Sequence, residues 1–372
     1  MRFLSILALA VTILVSCSKE NDPSASNPNN PTIPNPDTTS AQPMYFPPLT
    51  GNSWETTQAS ALGWDTSQIT NVYDYLQLKN TKAFIVLQNG RIVLEKYFGN
   101  FTADSNWYWA SAGKTMTAML VGIAQSEGLL SMQQPSSDFL GRGWTSLSAA
   151  QEEQIRIVHQ LSMTTGLDDG TGDTDCTLPS CLTYKAAPGN RWAYHNAPYT
   201  LLDKVVESAS GLTYNAYFQQ KIRNRTGMNG LWLRTGYNNV YYSTPRSMAR
   251  FGLLLLNKGK WDQTRILTDT AYHLTQINSS QNINPSYGYL TWLNGKPSYM
   301  LPTIQLSLNG SLIPNAPADT YAALGKNDQK IYVVPSKKLV VIRMGDSAGN
   351  VQLAVSSFDN ELWGKLRTLM RF

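Results

Sequence analysis

Histidine and cysteine are scarce in this chain of 372 residues, three of each. His159, His195 and His273 stand far apart, and neither an H-E-x-x-H nor a paired C-x-x-C spacing occurs, so a zinc enzyme is disfavoured and no cofactor is expected. Charge is thin as well: 15% of residues are charged, against about 25% in ordinary soluble domains. Thirty Lys+Arg against 25 Asp+Glu leave a formal +5 with no dense basic block, so nucleic acid is not an expected partner. Long apolar runs are missing beyond the first residues. What is present is 42% hydrophobic content in a chain long enough to bury a sizeable core.

The one apolar run, Phe3 to Val15, is too short for a span of about 20 residues but suits the core of a secretory signal. It ends in Leu14-Val15-Ser16-Cys17, which resembles a bacterial lipobox. That resemblance implies a signal peptide over 1–16, lipidation of Cys17, and attachment to the outer membrane, on its periplasmic or cell-surface side, through the lipid alone. Residues 18 to 50 carry eight of the nineteen prolines among Asn, Ser and Thr, a composition unable to bury a core, so 17–50 reads as a tether and 51–372 as the folded domain. Outside the cytosol, Cys176 and Cys181 are expected to close a small disulfide loop.

Within 51–372 neither repeats nor low-complexity tracts occur. Ala83 to Gln88, Asn89-Gly90 and Arg91 to Phe98 form a strong type I′ hairpin signal. Tyr287 to Leu293, Thr320 to Leu324, Ile331 to Pro335 and Leu339 to Met344 are further strand candidates, and Val351 to Met370 has helical periodicity. Strands at both ends of a mostly helical middle predict an α/β (α+β) fold: one antiparallel sheet flanked by helices, with an inserted helical lobe and a cleft between them.

The chemistry is legible in two short stretches. Ser111-Ala112-Gly113-Lys114 opens a helical run, so that Ser111 and Lys114, three apart, share a face. A serine is a poor nucleophile until a base takes its proton. A neutral lysine can do so if burial brings its pKa from about 10.4 towards 7, a shift of roughly 4 kcal/mol. The same stretch fails as a Walker A loop, because Tyr108 replaces the required glycine, and as a G-x-S-x-G elbow, because Trp109 does. In Tyr194-His195-Asn196 the tyrosine and asparagine project to one side and His195 to the other. Tyr194 is placed to share a proton with Ser111 and Lys114, and Asn196 to hold the lysine and a substrate amide.

Together, Ser111-x-x-Lys114, Leu161 to Leu167, Tyr194-x-Asn196, Tyr242 to Gly252 and Tyr287-Gly288-Tyr289 resemble the β-lactamase-related serine hydrolases, which include class C β-lactamases, penicillin-binding peptidases, esterases and 6-aminohexanoate-dimer hydrolases. The resemblance implies a β-lactamase/transpeptidase-like fold and a serine hydrolase that forms an acyl-enzyme, with Ser111, Lys114 and Tyr194 catalytic. It departs at the third motif, where the family places K-T-G or H-x-G. Here Ala323-Leu324-Gly325-Lys326 stands, with Gly325 and the Lys326 N–H kept for substrate binding and the cation missing at Ala323. On a strand, Lys326 should turn its side chain away from the site. A neutral ester or amide, small-molecule or short-peptide, is then a better substrate than a penicillin, and a monomeric enzyme is expected. The competing readings are a non-catalytic surface binding lipoprotein of the same fold and a true β-lactamase or D-Ala-D-Ala peptidase.

Overall fold

The computed structural model describes residues 43–170, 172–351 and 353–372. Cys17, the expected leader and the expected tether up to residue 42 lie outside the described residues. Pro43 to Thr50, assigned to the tether by composition, already lie on the folded unit: Asn89 Nδ2 donates to Pro43 O at 3.2 Å, and Arg250 Nη2 to Pro48 O at 2.8 Å.

In chain order the elements that position the site are α1 (Ile69–Leu78), β1 (Thr81–Gln88), β2 (Arg91–Tyr97), β3 (Trp107–Tyr108), α2 (Gly113–Ser126), α3 (Leu202–Ser210), β4 (Leu231–Thr235), β5 (Asn238–Ser243), α4 (Pro245–Leu256), β6 (Trp292–Leu293), β7 (Tyr321–Gly325), β8 (Gln329–Val334), β9 (Leu339–Gly345) and α5 (Ser357–Met370). Six strands form one antiparallel sheet in the order β2-β1-β9-β8-β7-β6, and β3-β5-β4 form a second, smaller one. The β1–β2 turn places Asn89 and Gly90 at φ +50° and +84°, as a type I′ turn requires.

Helices cover both faces of the large sheet, so β7, β8 and β9 are buried along their whole length. On one face α4 approaches closely at Gly252, where a Cβ would stand 2.5 Å from Val340 Cγ1. On the other, Trp363 of α5 packs edge-on to Tyr332, and Tyr75 of α1 stacks on Phe358. A buried charge cluster sits on this second face. Lys330 Nζ lies 3.2 Å from Asp328 and 2.9 Å from Asp359, and Tyr332 donates to Asp359 at 2.6 Å. α2 is buried from Gly113 to Ala124, because it runs between the sheet and the helical lobe. The lobe has a small core of its own, made by Trp144, Ile155, Leu167, Leu182 and Ala197. Cys176 and Cys181 are joined by a disulfide beside it.

Two expected elements are shorter than their sequence pattern. Strand character over Tyr287 to Leu293 survives only in β6, because Leu290 adopts φ +48° and Gly288 is pressed against the Gln276 carbonyl. α5 starts at Ser357 rather than Val351, where Ser356 and Asp359 close a capping box. Among the described residues no helix is long and apolar enough to cross a membrane.

Candidate active site

Ser111 owes its place to its neighbours. Trp109 is fully buried, donates from its backbone N to Tyr241 O at 2.8 Å and from Nε1 to Ser243 Oγ at 2.9 Å, and so ties the chain to β5. Ala110 then takes φ +47°, a left-handed conformation that costs an alanine about 1–2 kcal/mol, and a 3₁₀ turn over Ala110–Ala112 leads into α2. From the sheet side, Gly325 at the end of β7 meets this turn. A Cβ there would lie 2.4 Å from Trp109 O and 3.1 Å from the Ser111 N. Only glycine lets the strand end come this close to the serine.

One helical turn on, Lys114 Nζ donates to Ser111 Oγ at 2.9 Å. The amine is 4.0 Å from the centre of the Tyr199 ring and 5.2 Å from that of Tyr194, and the residue is 3% exposed. Burial holds its pKa down at about 7, against the upward pull of Asp175. The Tyr194 ring stacks on Trp292 at 5.6 Å, and its enclosed hydroxyl lies beside Ser111 without a hydrogen bond of its own. Burial pushes that hydroxyl well above its ordinary range, with Ser111 and Trp292 pulling weakly the other way. Burial thus brings the neutral amine of the lysine within reach near neutral pH, while the tyrosine keeps its proton.

Ser111, Lys114, Tyr194, Asn196 and Lys326 all line one cleft of about 980 Å³, with Gly325 directly behind the serine turn. His195 is buried and does not line it, and His159 accepts the Arg156 N–H through Nδ1, far from any serine role. Two expectations change. Asn196 does not hold the lysine: its Nδ2 donates to Asp175 Oδ1 at 2.7 Å, while its Oδ1 is left without a partner. Lys326 does not obey strand alternation, because β7 stops at Gly325; it stands exposed on the next turn, at the cleft.

The sequence reading missed Tyr199, which forms a wall of the lysine's pocket, and Asp175, whose two oxygens accept from Asn196 and, at 2.8 Å, from Asn238 Nδ2. It also missed Asn327, at φ +57° on the turn after Gly325, whose Nδ2 donates to the Tyr108 hydroxyl at 2.7 Å. The turn signal was present in Lys326-Asn327-Asp328, since asparagine and aspartate tolerate left-handed backbone. Beyond Lys114, the charged groups of the cleft are Asp169, Asp175, Arg191 and Lys326, two of each sign, with Arg191 and Asp169 paired at 2.5 Å. Among the described residues no cluster of His, Cys, Asp or Glu is arranged to hold a metal ion.

The β-lactamase family model matches residues 80–360. Among solved structures, the chain is similar to a protein of Bacillus anthracis assigned as a 6-aminohexanoate-dimer hydrolase, with TM-score 0.66, 16% identity, and coverage of 89% of this chain and 91% of that one. It is also similar to a penicillin-binding protein of Bacillus halodurans, with TM-score 0.57, 17% identity and coverage of 74% and 96%. A β-lactamase of Mycobacterium bovis gives TM-score 0.57, 16% identity and coverage of 81% and 100%. At these identities the likeness is one of fold. A comparison with curated proteins finds no significant match. The matched segment spans both the sheet and the helical lobe, from the start of β1 into α5, and the chain belongs to the β-lactamase family, with its serine hydrolase fold.

Proposed function

We propose that the protein hydrolyses a carboxylic ester or amide through an acyl-enzyme on Ser111. The observation that carries this reading is the 2.9 Å contact between Ser111 Oγ and a lysine amine held near neutrality by burial. Lys114 takes the serine proton as Oγ bonds to the substrate carbonyl carbon. The oxyanion is met by the backbone N–H groups of Ser111 and of Lys326, the residue after Gly325. Tyr194, protonated and beside the serine, gives its proton to the departing alcohol or amine and regains one from the Lys114 ammonium. Water, deprotonated by the same pair, then releases the acid and restores Ser111.

A neutral substrate fits best. Lys114 apart, the cleft charges balance, and Ala323, where the family carries its carboxylate-binding cation, is 1% exposed and apolar. Attachment of the chain to the outer membrane through a lipidated Cys17 belongs to the same proposal, and incorporation of labelled fatty acid into the wild type but not into Cys17→Ala tests it.

The catalytic reading is tested by intact-mass spectrometry after exposure to a fluorophosphonate, alongside turnover of a short-chain nitrophenyl ester. One adduct on Ser111 is expected, lost together with turnover in Ser111→Ala and reduced at least a hundredfold in Lys114→Ala. A folded wild type that takes no adduct overturns it in favour of a binding protein, and acylation by a labelled penicillin would move the substrate class to β-lactams or D-Ala peptides.

A further inference from the structure

We propose that Asp175 is a positioning residue for Ser111 chemistry, and that the Cys176–Cys181 bond holds it in place, so that the site depends on that bond being oxidised. The inference rests on the acyl-enzyme reading above. Asp175 is a junction between three chain segments distant in sequence: its own disulfide loop, the Tyr194-x-Asn196 segment through Asn196 Nδ2 at 2.7 Å, and β5 through Asn238 Nδ2 at 2.8 Å. By fixing the nitrogen of Asn196 it sets the orientation of the whole amide, whose Oδ1 has no partner, on a residue that lines the cleft with Ser111.

Within its own loop, the Asp175 N–H donates to the Asp173 side chain two residues back, Cys176 N donates to Asp173 O at 3.1 Å, and Thr174 O accepts from the buried Ala197 N at 3.1 Å, while the stretch from Gly172 to Thr174 is exposed. A further support comes through sulfur, beside the burial of Cys176 itself. Leu182, next to Cys181, is fully buried in the small lobe core, and its carbonyl accepts from Ser146 N at 3.1 Å. The disulfide carries that anchorage across to Cys176 and so to Asp175. A dithiol supplying two electrons and two protons would convert the bridge to two thiols, itself becoming a disulfide, and would uncouple Asp175 from Leu182.

The groups facing the Lys114 amine are the Ser111 hydroxyl on its own turn, the Tyr194 and Tyr199 rings, and the Asp175 carboxylate, with the Asp169–Arg191 pair and Lys326 further along the cleft. Asp175 is the unpaired anion of this set, and its attraction favours the ammonium. Its loss or displacement therefore makes the lysine easier to deprotonate, a change that a merely structural role would not produce.

The test is a titration of Lys114 by NMR in protein carrying ¹³Cε-lysine, assigned with Lys114→Met, on the oxidised chain, the dithiothreitol-reduced chain, Asp175→Asn and the Cys176→Ser/Cys181→Ser double variant. Circular dichroism checks that each is folded. The midpoint is expected to fall by about half a pH unit or more in Asp175→Asn, to fall in the same direction on reduction and in the double variant, and to be unmoved by reduction once Asp175 is replaced. An unmoved midpoint in folded Asp175→Asn overturns the proposal, as does an equal shift on reduction with and without Asp175. The fluorophosphonate adduct separates the two readings: its absence from the wild type removes both, whereas an adduct with an unmoved midpoint removes this one alone.

Discussion

Ala110 and Lys114 each hold an unfavourable state on behalf of Ser111. At Ala110 that state is the left-handed backbone. Ala110→Gly relieves the strain but widens the unfolded ensemble, and a net stabilisation of under about 1 kcal/mol is expected, with a loosened turn and slower acylation. Calorimetry and stopped-flow burst kinetics read the two effects separately. At Lys114 the state is a buried amine whose pKa falls from 10.5 to about 7 on folding. Between these values the unfolded chain binds the proton that the folded one has lost, so this group adds stability as pH rises from about 7 and withholds it below. Lys114→Met should therefore melt above the wild type at pH 7, by up to about 4 kcal/mol less the lost contacts to Ser111 and Tyr199, while losing turnover. Wild-type acylation should rise through an acid limb centred near pH 7. Ser111-x-x-Lys114 and Tyr194-x-Asn196 could be singled out in the sequence because the members of each pair stand two or three residues apart. Asp175 and Tyr199 were not, since they reach the lysine from segments that only the fold brings near, and nothing in their own neighbourhoods marks them.

Among the elements, β7 and β8 carry the most consequence for the site. Gly325→Ala would drive a methyl into the Trp109 carbonyl at 2.4 Å. Relief requires β7 or the serine turn to move, so a loss of about 1–3 kcal/mol in melting experiments and at least a tenfold fall in ester turnover are expected. β8 depends on its charge cluster. Lys330→Met leaves the Asp328 and Asp359 carboxylates buried without their shared cation and should cost about 3–5 kcal/mol in denaturant titrations, because both charges are enclosed under α5. The β1–β2 hairpin and the antiparallel sheet followed from alternation and from Asn89-Gly90, which are local signals. The capping box that starts α5 was also written in the sequence, as Ser356-x-x-Asp359, but the apolar periodicity running ahead of it masked the boundary. Leu290 gave no such sign, and its left-handed conformation cuts a strand that pattern alone would extend.

At the scale of the whole molecule, the strands of the large sheet have two ends with different duties. Thr81 pairs with Gly345 at the end shared with Gly325 and the serine turn, and Gln88 pairs with Leu339 at the other. Seven residues of antiparallel strand separate these ends by about 24 Å. The first described residues fasten to the second end, where Tyr45 N donates to Asn89 O at 3.1 Å, Trp54 Nε1 to Gly90 O at 2.8 Å and Arg91 Nη1 to Pro43 O at 3.2 Å, and to α4, where Arg250 Nη2 donates to Pro48 O at 2.8 Å and Arg246 Nη1 to Asn52 O at 2.6 Å. A tug delivered through the chain ahead of Pro43 is thus taken up by a tight turn a full strand length from Ser111. Load applied at Pro43 therefore enters through the Asn89-Gly90 turn, with the length of the sheet lying between it and the groups around Ser111.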